Sequence, residues 1–220
     1  RTEASFVGHA TVAAHHVLSR REGTPTRLRQ RQKSGSVDVE VRGQGPGRRI
    51  AVRQSALPLG RELNERERLA VLDALALSSA DLDTRCPIQI VGSGSTRLMI
   101  GVRGPQQLKL LKPDFNRLNT LSAQLGAAGH FVFTLNSRTP DCLTESRMFC
   151  PALGIPEDPV TGGAHTMLVP YWSAVLGKDR LNAYQASRRG GEIRCHLVGE
   201  RVLLEGSCTF FFEGIAECDR

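Results

Sequence analysis

The chain has 220 residues, of which 40% are apolar and 22 are glycine. That is enough to bury a core without metal or disulfide support, and the composition is neither disordered nor collagen-like. No apolar run is long enough for a membrane-spanning helix, so no membrane association is expected. The six cysteines, Cys86, Cys142, Cys150, Cys195, Cys208 and Cys218, form no CxxC pair and keep no ligand spacing with the six histidines. This pattern argues against a metal site and for reduced thiols in a cytoplasmic protein. The net charge of +7 is largely arginine. In the run from Arg27 to Lys33 the cations alternate, so on a strand they share one solvated face. No aromatics interleave with them, so a nucleic-acid partner is not expected, and attraction for an acidic ligand is the secondary use of the charge.

Along the chain, Ala10, Ala13, Ala14, Val17 and Leu18 form the i, i+3, i+4, i+7, i+8 stripe of a helix packed by one face. Arg20, Arg21 and Gly23 close it. Leu28 to Gln32 leads to Gly35 and the alternating Val37, Val39 and Val41, with Arg49-Ile-Ala-Val52 as a return strand. Asn64-Glu-Arg-Glu67 resembles a capping box ahead of Leu69, Leu72 and Leu75, which predicts a surface helix. Ile88 and Ile90, then Leu98, Ile100 and Val102, flank Gly92-Ser-Gly-Ser95 as a hairpin. A helix is predicted from Pro113 to Leu125, stopped by Gly126, and a strand from His130 to Leu135. Ala164, Met167, Leu168, Tyr171, Trp172, Val175 and Leu176 mark a longer helix, expected to kink at Pro170 and to end at Gly177. Phe210, Phe211 and Phe212 read as a core strand.

The end of the chain repeats its beginning. Leu181 to Gln185 matches Leu28 to Gln32, and Gly191 opens Ile193, Cys195 and Leu197 as Gly35 opens the three valines. A unit of helix, strand and hairpin therefore occurs twice, about 155 residues apart. The expected class is α+β with two pseudo-symmetric lobes, each a largely β layer on an apolar helix. Residues 1–55 would belong to the first lobe, 56–150 mainly to the second, 151–206 to the second with its central helix, and 207–220 to a C-terminal strand that could return to the first.

Both predicted central helices start on glycine-rich turns, Gly8-His9-Ala10-Thr11 and Gly162-Gly163-Ala164-His165-Thr166. Free N–H groups at a helix start attract anions, and glycine lets a ligand approach the backbone. Related by a pseudo-twofold axis, the two could grip one substrate. Either motif alone is explained by simple capping, as is Asp158 before Pro159. His15, His16 and His165 are expected to be packed or surface residues, with His165 close enough to a helix start to line a cleft. Ser93 and Ser95 could contact a carboxylate or could be turn residues only. Arg147 and Phe149 are candidates for a cleft wall.

At GHAT (Gly8 to Thr11) and EDPVTG (Glu157 to Gly162) the sequence resembles the phenazine-biosynthesis F-type (PhzF-like) family, within the diaminopimelate epimerase-like superfamily. Thr2-Glu-Ala-Ser-Phe-Val7 is similar to that family's stretch around its catalytic glutamate, and Arg188-Arg-Gly-Gly-Glu192 falls within the resemblance. The resemblance implies two lobes, each a curved, mostly antiparallel sheet wrapped around a central helix, with the active site between them. It implies a proton-transfer isomerase of a small, anionic substrate, with no metal or organic cofactor, acting as a homodimer.

Carried over, Glu3 is the general acid/base, His9 and Gly8 hold the substrate and its developing charge, and Asp158 orients or assists. Gly162, Gly163 and Ser93 complete the binding set. A carboxylate in a closed, partly apolar cleft suits this work, and helix-start donors stabilise developing negative charge. Two departures stand out. Gly163 replaces a serine that the family often has, and a strand and loop expected between the glutamate and GHAT are absent, with Val7 next to Gly8. The expectation is a missing segment at that join and, because the chain starts at Arg1, further residues before it. A real Val7–Gly8 bond would require the catalytic assignment to be rebuilt. Two other readings stay open: a binding or scaffold protein on the same fold, and an amino-acid racemase or epimerase.

Overall fold

The computed structural model describes residues 7–33, 35–92, 96–211 and 213–214. The first repeat consists of α1 (Gly8–Leu18), β1 (Arg27–Gln32), β2 (Gly35–Arg42) and β3 (Arg49–Ser55). The middle of the chain adds β4 (Leu59–Glu62), α2 (Glu65–Ala74), β5 (Gln89–Val91), β6 (Arg97–Gly101), α3 (Pro105–Leu110), α4 (Phe115–Leu125), β7 (His130–Thr134), β8 (Thr144–Cys150) and β9 (Ile155–Asp158). The second repeat is α5 (Gly162–Leu176), β10 (Arg180–Gln185), β11 (Gly191–Val198) and β12 (Arg201–Gly206). The expected mixed α+β class is met.

The strands form one sheet in the order β1-β2-β3-β12-β11-β10-β8-β7-β6-β5-β4, with β9 paired to β8. The two repeats meet where β3 and β12 pair antiparallel with Val52 opposite Leu204. Leu28 faces Val39 in one repeat as Leu181 faces Cys195 in the other. Strand alternation accounts for both faces: Arg27, Arg29 and Arg31 are exposed together on β1, with Arg29 paired to Asp38 at 2.9 Å.

The second repeat is packed on both sides of its helix. Ala164, Met167, Leu168, Tyr171 and Trp172 of α5 are buried against Phe131, Phe133, Met148 and Cys150 on one side and Ile193, Cys195, Val202 and Leu204 on the other. Phe133 meets the Trp172 ring edge-on at 5.3 Å, and the Tyr171 hydroxyl donates to the Pro87 carbonyl at 2.8 Å. The helix runs through Pro170 without a break in its assigned span and ends at left-handed Gly177. A separate cluster joins Val71, Leu72 and Leu75 to Ile100, Leu118, Val132 and Phe149. The capping box forms, with the Asn64 side chain accepting from the Glu67 N–H and the Glu67 carboxylate from the Asn64 N–H.

Three expectations are corrected. The α1 stripe of Ala10, Ala13, Ala14, Val17 and Leu18 faces out, with Val17 46% and Leu18 40% exposed, whereas Thr11, His15 and His16 are buried. The helix lies on the cluster of Val37, Val39, Ile50 and Val52 through Val12 and is fastened by polar contacts. The Gln30 amide donates to Thr11 Oγ1 at 3.1 Å, and its oxygen is 3.0 Å from His15 Nε2. Among the described residues no second layer covers α1 as β7 and β8 cover α5, so its stripe has nothing to bury against. Leu69 is likewise exposed, because α2 turns Val71, Leu72 and Ala74 inward. Phe210 and Phe211 are 37% and 91% exposed and lie beyond the end of β12 rather than in a core strand; Phe212 lies outside the described residues. The Arg20 guanidinium sits 3.7 Å from the Phe210 ring, a cation–π contact that suits a surface position. No helix among the described residues is long and apolar enough to cross a membrane.

The asymmetry predicts unequal sensitivity. Leu168→Ala should destabilise by about 2–5 kcal/mol through loss of burial and a residual cavity, whereas Leu18→Lys should stay within about 0.5 kcal/mol. Urea unfolding of the two variants checks this. Buried His130 and His165 supply a pH dependence, because burial lowers each to about 4. The unfolded chain, with histidines near 6.5, binds more protons between these values, so stability is full above about 6.5 and falls as pH drops toward 4. Full protonation of each costs about 3 kcal/mol, and denaturation midpoints at pH 7 and pH 5 measure the onset.

Candidate active site

The pairing of β3 with β12 brings the starts of α1 and α5 to one cavity of about 560 Å³. Its lining includes Gly8, His9 and Val12 from the first repeat and Val160, Gly162, Tyr184, Arg189, Gly190 and Gly191 from the second. Leu204, Glu205 and Gly206 at the end of β12 and Ser207 and Cys208 just beyond it close the cavity. Neither helix start has a side-chain cap or an acidic residue in its first turn. α2 and α4, whose starts are elsewhere, are capped by Asn64 and Asp114. The cavity thus meets two helix N-termini whose partial positive charge is offset by no side chain of the helix itself.

The EDPVTG turn is fixed from several directions. Arg147 holds Glu157 in a bidentate pair at 2.8 and 2.9 Å and donates to the Leu108 carbonyl at 3.0 Å. The Ser187 hydroxyl donates to the Pro159 carbonyl at 2.7 Å. Asp158, half-buried, accepts from the Thr161 hydroxyl at 2.5 Å, as a residue closing its own turn would. Burial lowers the Arg97 pKa, and Cys150 and Asp158 oppose that.

Glycine is required where the loop after β10 closes on its surroundings. Gly190 has φ +67°, and a Cβ there would fall 2.3 Å from the Tyr184 hydroxyl; one on Gly191 would fall 2.4 Å from Val160 Cγ2. At Gly163 a Cβ meets nothing within 4 Å. The hydroxyl missing at that position is therefore not excluded by crowding.

Several expected site residues come together and others do not. Gly8, His9 and Gly162 line the cavity, and Asp158 lies in the turn just before it. Gly163 follows in α5 but does not line it. Glu3 and Ser93 lie outside the described residues. His165 is fully buried, its Nδ1–H donating to the Thr161 carbonyl at 2.8 Å and its ring edge-on to Phe131, so it does not line the cleft. Arg147 and Phe149 are not a cleft wall: the arginine pairs with Glu157, and Phe149 is buried in the core beside α4. The expected gap at Val7 is also corrected. The Val7 carbonyl accepts from both the N–H and the hydroxyl of Thr11 at 3.0 Å, so Val7 leads directly into α1 as its N-cap.

Sequence reasoning missed Tyr184, Arg189 and Glu205 as cavity residues. Alternation of β10 could have exposed Tyr184, but Glu205 depends on the pairing of distant strands. Its carboxylate is ion-paired with Arg42, which also holds Glu40 at 3.0 Å. Burial disfavours the Arg42 charge, but the two carboxylates outweigh it and raise its pKa.

A large sheet carrying two equivalent helices whose starts share a cavity defines a duplicated, epimerase-like architecture. The chain belongs to the family described as phenazine biosynthesis-like protein, whose profile matches residues 1–214. It is 33% identical to an uncharacterized isomerase of Clostridium acetobutylicum over 77% of this chain and 57% of that protein. An uncharacterized isomerase of Pseudomonas aeruginosa is 35% identical over 96% of this chain and 73% of the relative. A crystal structure of a phenazine biosynthesis protein, PhzF family, from Enterococcus faecalis superposes with a TM-score of 0.78 at 27% identity, covering 98% of this chain and 75% of that one. A PhzC/PhzF protein from Clostridium difficile gives 0.76 at 26%, covering 99% and 76%. The chain spans little more than half the length of the first relative.

The glycine geometry separates two substitutions. Gly191→Ala should displace Val160 and lower stability by about 1–3 kcal/mol, whereas Gly163→Ala should be neutral or stabilise by up to about 1 kcal/mol through helix propensity. Melting temperatures of both variants test the pair.

Proposed function

We propose that the protein is a cofactor-independent isomerase that moves a proton between carbons of a small, carboxylated metabolite. The observation that carries this reading is the shared cavity at two uncapped helix starts, beside a turn whose acidic residue is held by hydrogen bonds. Two positive helix ends and Arg189 suit a carboxylate and the negative charge that develops when a neighbouring carbon loses a proton. The relatives from Clostridium acetobutylicum and Pseudomonas aeruginosa carry the name isomerase.

In this reading Glu3, five residues before Gly8 in the chain, is the general acid/base, and Asp158 assists the transfer. Gly8, His9 and Gly162, which line the cavity, hold the substrate. Because Val7 joins α1 directly, Glu205, in the cavity wall and held by Arg42, is an alternative to Glu3, with Glu192 the other carboxylate of the lining. A cytoplasmic homodimer completes the proposal.

The test is solvent deuterium incorporation. Small carboxylic acids with a C–H next to a carbonyl or a double bond are incubated with the protein in D2O and followed by NMR. Incorporation is expected, lost by 100-fold or more in Glu3→Gln and by 10-fold or more in Asp158→Asn. Exchange that survives Glu3→Gln and disappears in Glu205→Gln moves the acid/base role to Glu205. No incorporation with any acid favours the binding or scaffold reading, and formation of both enantiomers from one favours the racemase.

A further inference from the structure

We infer that Gln185 is the positioning residue of the EDPVTG turn, a role that rests on the isomerase reading above and names the group that holds its assisting acid in place. Gln185 is the last residue of β10 and is completely buried. A buried carboxamide must find partners for its oxygen and its nitrogen, and here all of them come from one short turn. Its Oε1 accepts from the Thr161 N–H at 2.8 Å. Its Nε2 donates to the Asp158 carbonyl at 2.6 Å and to the Thr161 hydroxyl oxygen at 3.3 Å. The orientation of the amide follows from these partners, since a backbone N–H only donates and a carbonyl only accepts.

The hydroxyl that receives from Gln185 gives its own proton to Asp158 Oδ2 at 2.5 Å. One side chain thereby fixes the backbone of Asp158, the start of α5 and, through Thr161, the rotamer of the carboxylate. A neutral amide does this without adding charge beside the acid; an ionised glutamate could accept from Thr161 but could not donate to the Asp158 carbonyl. Gln185 also ties the turn to the sheet, because its strand pairs in parallel with β8, Gln185 opposite Ser146. Cavity-lining Gly162 immediately follows Thr161, so the clamp sets both the acid and the helix start that faces the substrate.

Gln185→Glu, Gln185→Leu and Thr161→Val provide the test, each first checked for folding by far-UV circular dichroism. Without any substrate, amide hydrogen exchange at Thr161, whose N–H Gln185 accepts, should be at least 10-fold faster in Gln185→Leu, while the amides of β7 and β11 keep their protection. With the acid that exchanges fastest in D2O, Gln185→Glu should lower kcat 10- to 100-fold with KM within about threefold, because the Thr161 N–H keeps its acceptor while the acid loses its support. Gln185→Leu should both lower kcat and raise KM. Thr161→Val should lower kcat, and adding Gln185→Glu to it should cost less than on the native background. Unchanged amide exchange in a folded Gln185→Leu overturns the clamp. Equal changes of kcat and KM in Gln185→Glu and Gln185→Leu also overturn it. Should the native protein exchange none of the acids, the isomerase reading fails, and the amide measurement still decides whether Gln185 holds the turn.

Discussion

The antiparallel pairing of β3 with β12 is the contact on which the site depends. These are equivalent strands of the two repeats, and joining them edge to edge with Val52 opposite Leu204 relates the repeats by a local twofold rotation. A helix that precedes its strands in each repeat is carried along by that rotation, so α1 and α5 present their starts to the same space. Neither start binds an anion convincingly alone. Their convergence makes a pocket with positive character on two sides and glycine where a ligand must approach backbone.

Rigidity around this pocket is unevenly distributed. The turn before α5 is held by a bidentate arginine from β8, by a serine from the loop after β10 and by a buried glutamine from β10. The arginine and the glutamine come from strands, so the turn inherits the order of the sheet. Supporting groups of this kind hold acids and donors close to the geometry that chemistry needs. On the α1 side the corresponding support is polar and lighter, with Gln30 linking Thr11 to His15.

The same contrast runs through the packing. α5 is enclosed between two groups of strands and buries Trp172, Tyr171 and Leu168, each worth about 1.5–3 kcal/mol of hydrophobic stabilisation. α1 leans on one group of strands and leaves its alanines, Val17 and Leu18 toward solvent. Two helices with the same apolar period therefore contribute differently to stability, because burial is a property of the surroundings and not of the helix.

Much of the local structure was legible from residue order. Period-3.6 stripes marked both central helices, alternating valines and Ile193, Cys195 and Leu197 marked the hairpins, and Asn64 with Glu67 marked a helix start, since these signals arise from near neighbours in the chain. The repeat, and with it the convergence of GHAT and EDPVTG, was also visible, because duplicated segments keep their patterns. What only the tertiary structure decided is which faces were covered and which distant groups met. The α1 stripe pointed to a core that no described layer supplies, Phe211 read as core and stands in solvent, and Glu205 and Gln185 gave no local signal at all. Periodicity records that a face could be buried, whereas burial and ion pairing depend on strands brought together from far apart in the chain, as β3 and β12 are, and the EDPVTG turn is held by side chains that only folding brings to it.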